Sequence, residues 1–105
     1  MKRTALIVLS LISSAQIALA SDISSVRKSE LLNLLKHDCG SCHGLSLKGG
    51  LGPALTPDVL RQKPIEYITA TILYGRSGTP MPPWRPFMSE GEANWLAQRI
   101  KEGVQ

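Results

Sequence analysis

Apolar positions begin almost at once, in a stretch from Ala5 to Leu19 that is broken by Ser10, Ser13, Ser14 and Gln16 and preceded by Lys2 and Arg3. It closes on Ala18-Leu19-Ala20. A basic start, a short apolar centre and an A-x-A close have the form of a secretory leader, and so interrupted a stretch is poorly suited to span roughly 30 Å of hydrocarbon. Residues 1–20 are therefore expected to be a cleaved signal peptide, and residues 21–105 one domain working in the periplasm. No cysteine follows the cleavage point and no second long apolar stretch appears, so no membrane anchor is expected in the mature form.

Beyond the leader the pattern is helical. From Ser24 or Ser25 to about Asp38, Val26, Leu31, Leu32, Leu34 and Leu35 recur at helix-compatible spacing, with Arg27, Lys28, Glu30 and Lys36 assigned to the other side. Gly44 to Leu55, which includes Gly49-Gly50-Leu51-Gly52-Pro53, reads as a loop. Thr56 or Asp58 can cap a short turn through Leu60. Pro64 suits the first position of a helix carrying Ile65, Ile68, Ile72 and Leu73 as one apolar stripe and ending after Tyr74 at Gly75. Ser89-Glu90-Gly91-Glu92 is a capping box that opens a last helix, with Ala93, Leu96 and Ile100 on one side, Trp95 beside them and Gly103 as its end. That helix is expected to cross the N-terminal one and bury Trp95 or Leu96 against Leu31 and Leu35. No strand pattern or internal repeat is present, so the fold class is all-α, with three to four helices.

Composition changes this picture in two ways. Without Lys2 and Arg3 the net charge drops from +4 to +2, and the remaining basic residues are scattered among acids, which excludes a nucleic-acid-binding stripe. About 85 residues remain, a size at which an apolar core alone gives little net stability, so a staple is expected.

The two cysteines supply it. Cys39-Gly40-Ser41-Cys42-His43 has the C-x-x-C-H spacing of c-type haem attachment. Each thiol adds across one haem vinyl group, and one helical turn sets the sulfurs about as far apart as the vinyls. The next residue, His43, offers its imidazole to the iron. A thioredoxin-like dithiol shares C-x-x-C, but its motif follows a strand, whereas an amphipathic helix precedes this one. A zinc site from His37, Cys39, Cys42 and His43 would pack four ligands into seven residues, which disfavours a tetrahedron. His37 reads as a surface histidine, since it points away from the cysteine-bearing face of the helix.

With His43 as one axial ligand, the best second is Met81, within Gly78-Thr79-Pro80-Met81-Pro82-Pro83-Trp84. Prolines on both sides stiffen a loop that must hold a thioether against iron, and soft sulfur raises the reduction potential relative to a second nitrogen. Methionine is more often a gap-filler, and Met88, just before a helix start, is assigned that packing role. A carbonyl of the Gly-Pro loop is a natural acceptor for the His43 Nδ1–H, fixing its tautomer. Tyr67 and Tyr74 are ambiguous between tuning the iron and lying exposed. Lys48, Arg76 and Arg85 sit in loops and are candidates for steering an acidic partner.

The order of helix, C-x-x-C-H, Gly-Pro loop, middle helix, methionine loop and capped terminal helix resembles the class I cytochrome c fold over the whole chain after the leader. The resemblance implies one haem c, covalent through Cys39 and Cys42, with His43 and Met81 as iron ligands. Gly52-Pro53-Ala54-Leu55 matches the family's Gly-Pro-x-Leu loop, which implies that Pro53 packs on the proximal side and its carbonyl receives the histidine proton. More narrowly, Gly44-Leu45 to Pro53 and Gly75-Arg76-Ser77-Gly78-Thr79-Pro80-Met81-Pro82-Pro83-Trp84 are similar to the NirC-type cytochromes associated with cytochrome cd1 nitrite reductase. That likeness implies a periplasmic monomer passing single electrons to a redox protein partner, cytochrome cd1 nitrite reductase in denitrification. The alternative is a part in d1 haem biogenesis or maturation of the reductase. A haem enzyme with an open sixth position is the remaining class, and the distal segment offers little acid-base machinery for it.

Overall fold

The computed structural model describes residues 22–104; the leader expected at residues 1–20 lies outside them. Helix α1 (Ser25–Leu34) starts where Ser24 leaves the extended region and its hydroxyl accepts the Arg27 N–H at 3.1 Å. The helix does not stop at Leu34. It widens into a π-helical stretch, Leu35–Cys39, in which the Gly40 N–H reaches back five residues to the Leu35 carbonyl, and then resumes as α2 (Gly40–His43).

The wider turn has a packing consequence. Steps of four residues overshoot an α-helical turn by about 40° each, so positions 31, 35, 39 and 43 would drift by roughly a third of a turn in an unbroken α-helix. The π stretch takes much of that drift back. Leu31 and Leu35 are buried in the core, Cys39 is half-buried and His43 is buried beyond it.

After the loop following His43, Pro57 opens the short α3 (Pro57–Leu60), with Thr56 as its N-cap. Asp58 accepts a hydrogen bond from the Thr56 side chain, which holds its carboxyl below the usual range. Helix α4 (Ile65–Tyr74) ends at Gly75, whose φ of 67° and close neighbours admit no side chain: a Cβ there would meet the Met81 carbonyl at 2.5 Å. Pro64 stands one place earlier than expected, as N-cap with extended ψ rather than as first helical residue, and its carbonyl accepts the N–H groups of Tyr67 and Ile68. A 3₁₀ turn, Arg85–Phe87, precedes α5 (Glu90–Glu102), which ends at Gly103.

Helix α5 is the hub. It packs mainly along α4 and also touches α1 and α3. Leu31, Leu35, Leu60, Ile68, Leu73, Ala93, Leu96, Ala97 and Ile100 form the shared core, joined by Leu47 and Met88. Leu96 is the residue fully buried against the Leu31 side, while Trp95 is half-buried at the edge, with the Lys28 and Arg99 cations each 5.9 Å from its ring centre. Val26 and Leu32, expected on the apolar face, lie exposed because α1 meets α5 along a narrow strip. There is no strand among the described residues, and no helix among them is long and apolar enough to cross a membrane.

The capping box at α5 forms in full: the Ser89 hydroxyl accepts the Glu92 N–H at 3.1 Å, and a Glu92 oxygen accepts the Ser89 N–H at 3.0 Å. Arg27, assigned above to the solvent side, instead turns toward α5 and grips the same carboxylate with both Nε (2.9 Å) and Nη2 (3.0 Å). A two-point guanidinium–carboxylate contact is stronger than any one point charge, and its geometry draws Arg27 inward. That guanidinium, more than the Ser89 N–H, holds the Glu92 carboxyl below its ordinary value near 4.5. A depressed carboxylate stabilises the fold fully above its unfolded value, and that contribution is lost as pH falls through the folded one. Glu92→Gln should therefore lower the thermal midpoint of the haem-loaded protein at neutral pH. The gap from wild type should close as melts are repeated below about pH 4.5.

Candidate functional site

The C-x-x-C-H motif sits where the π stretch hands over to α2, and the loop that follows is bonded back onto it. The Gly49 N–H donates to the His43 carbonyl and the Gly52 N–H to the Cys42 carbonyl, each at 2.8 Å. This brings the Gly-Pro turn against the His43 ring. A Cβ on Gly52 would lie 2.7 Å from ring atoms of His43, so only glycine permits the contact. The His43 Nδ1 lies 2.7 Å from the Pro53 carbonyl oxygen. Because a carbonyl only accepts, Nδ1 carries the proton, and Nε2 is left as the basic nitrogen.

Cys39, Cys42, His43, Pro53 and Met81 all line one cleft of about 410 Å³. The volume falls in the range of small-molecule and cofactor sites. Its walls are largely apolar: Leu35, Leu55, Ile68, Ile72, Trp84 and Leu96 come from α1's extension, the proximal loop, α4, the distal segment and α5. Met81 arrives from the segment after α4, which closes on itself through Arg76 N–H to Met81 carbonyl at 3.2 Å and is tied to the helix by Trp84 N–H to Ile72 carbonyl at 3.0 Å.

The other sequence candidates sort by position. His37 is exposed and does not line the cleft, while Met88 is buried in the core. Tyr67 reaches the cleft though it is half in solvent, and Tyr74 is exposed outside it. Arg76 lines the cleft, whereas Lys48 and Arg85 do not. Lys63 and Asp38 also line it and were not singled out from the sequence. A charge next to a helix-opening proline looks like any solvated residue, so the sequence carries no signal for Lys63.

Geometry and charge weigh against two rival readings of the motif. Among the described residues no three of His, Cys, Asp and Glu gather into a metal cage, and His37 is exposed and off the cleft that the cysteines and His43 line. A redox dithiol needs a lowered thiol pKa, but burial, with the Asp38 charge adding to it, pushes the Cys39 thiol up to about 11. What remains is a large apolar cleft with two free thiols, an oriented imidazole and a thioether on its walls, which fits a haem.

A family profile described as cytochrome c oxidase, cbb3-type, subunit III, matches residues 28–98. The chain is a c-type cytochrome of that family. Its haem c is accordingly single and covalent, through Cys39 and Cys42. Cytochrome c55X of Pseudomonas aeruginosa is 60% identical over 77 residues, covering 73% of this cytochrome and 65% of that protein, so the chain spans just under two thirds of that relative. Cytochrome c55X of Paracoccus denitrificans is 42% identical over 83 residues, covering 79% of this chain and 81% of its own length. The solved c-type cytochrome NirC is 55% identical, covers 78% of this chain and 96% of that one, and superposes with a TM-score of 0.76. Dihydro-heme d1 dehydrogenase NirN in complex with DHE shares the fold at a TM-score of 0.62 and 28% identity over 67% of this chain and 15% of its own. The fold is the class I cytochrome c fold, which the chain shares with NirC.

Proposed function

We propose that the protein is a periplasmic single-electron carrier, exported by removal of residues 1–20 and acting as residues 21–105. The observation that carries this reading is that one cleft holds Cys39, Cys42 and His43 together with Met81, in a chain of the c-type cytochrome family. Bound there, haem supplies a ferric–ferrous couple. His43, with Nδ1 anchored on the Pro53 carbonyl, would hold the iron through Nε2, and the Met81 thioether would hold it from the distal segment. A site closed by two protein ligands would pass electrons and leave no place for a substrate. Cys42 is exposed while Cys39 is half-buried and His43 buried, so the Cys42 side of the cleft would be the side open to a partner.

The partner in this reading is cytochrome cd1 nitrite reductase, and the likeness to NirC supports it. A second reading, assistance in d1 haem biogenesis, is favoured by the likeness to a domain of the d1 dehydrogenase NirN. Stopped-flow mixing of the ferrous protein with oxidised cytochrome cd1 nitrite reductase separates them. Rapid, saturable oxidation of the c haem that supports nitrite turnover is the expected result. Slow transfer from a folded, methionine-ligated protein would remove the donor role and leave the biogenesis reading ahead.

A further inference from the structure

We infer that Arg27 is a positioning residue for the sixth ligand: by tying α1 to both the start of α5 and the outer end of the distal segment, it holds Met81 over the cleft. The inference rests on the reading of Met81 as an iron ligand.

The inner half of the distal segment closes on itself through Arg76 and hangs on α4 through Trp84, as described above. Its outer half runs from the half-buried Trp84 to Met88, which is buried in the core, with an exposed turn between them. Phe87 closes the 3₁₀ turn with an N–H bond to the Trp84 carbonyl at 2.9 Å, and although its ring lies 5.6 Å from that of Trp84 the residue is 61% exposed. A further hold on this turn comes from another element: Arg27 Nη2 donates to the Phe87 carbonyl at 2.8 Å. The same guanidinium donates to both oxygens of Glu92 and, through Nη1, to Glu30 at 2.9 Å. Glu92 in turn accepts the Ser89 N–H through the oxygen that Nη2 uses.

One planar group therefore joins three segments, and adds a polar hold on the exposed turn to the packing of Met88 at its end. Shifting Phe87 outward means breaking a charge-assisted bond from a guanidinium that Glu92 already holds in orientation. Trp84, three residues after Met81 and bonded to both Ile72 and Phe87, lines the cleft beside it and carries any such shift to the ligand.

The test uses the haem-loaded ferric protein and reads the near-infrared methionine–iron charge-transfer band and the affinity for added imidazole, which competes for the sixth position. Wild type should show the band. Arg27→Gln should weaken it and raise imidazole affinity about fivefold or more, the lower end of ordinary coupling between separate sites. Arg27→Lys, which keeps the charge without the fork, should behave like the glutamine variant. Ala97→Gly, a buried helix position outside the cleft, should lower the thermal midpoint yet leave imidazole affinity at the wild-type value. Wild-type imidazole affinity in Arg27→Gln, full rescue by lysine, or an equal rise in Ala97→Gly would each overturn the inference with Met81 ligation intact. Absence of the band in wild type would instead remove the ligand reading and the inference with it.

Discussion

Replacing Cys39 and Cys42 together with alanine should abolish covalent haem and, with it, the stable fold. The described core contains eleven buried apolar residues, few for a domain whose centre is a cleft of about 410 Å³. Leu55, Ile72 and Trp84 line the cleft and are only half-buried by the polypeptide, and Leu51 on the same wall is exposed. Their inner surfaces gain burial only when the cleft is filled. A domain of this size holds a net stability of only about 5–10 kcal/mol, so leaving that wall to water removes a large share of it. The single Cys42→Ala variant keeps one attachment point and should retain part of the haem. Haem remaining with the polypeptide after denaturation, and far-ultraviolet circular dichroism, measure the two effects. A double variant that melts at the wild-type temperature without haem would show that the polypeptide core suffices by itself.

Met81→Ala should leave the fold nearly intact while lowering the reduction potential on the order of 0.1 V or more, within the roughly 0.8 V that axial ligands span. The two effects separate because of how the segment is held. Arg76 bonds the Met81 backbone carbonyl, and Trp84 bonds the backbone of Ile72, so neither contact needs the thioether. Losing a half-buried side chain there should cost less than about 1.5 kcal/mol. If Met81 merely filled a gap, the variant would instead lose stability and keep its potential. Protein-film voltammetry together with a thermal melt distinguishes these outcomes.

Much of this arrangement is written locally in the chain. The cysteine–histidine motif, the Ser89–Glu92 capping box and the glycine after α4 each encode their geometry within five residues, and the structure realises the box and the stop directly. Leu31, Leu35, Leu96 and Ile100 are recognisable as core from periodicity. Features that depend on distant partners are not legible in the same way. Arg27 looks like one more surface charge, because the acceptor that defines it, Glu92, is 65 residues away. The π stretch has no sequence signature; it answers the need to keep Leu31, Leu35 and the motif on one side of a continuous helix. Val26 and Leu32 satisfy the helical spacing and still face solvent, since periodicity marks an apolar face but not how wide a strip the neighbouring helix covers.

The haem centre is the core of the account, and carbon monoxide tests it most directly. The purified ferrous wild-type protein should resist carbon monoxide at neutral pH, with His43 and Met81 retaining both axial positions, while Met81→Ala should bind it readily. Rapid binding by the wild type would mean that the sixth position is open, and an electron carrier closed by two protein ligands would no longer describe this protein.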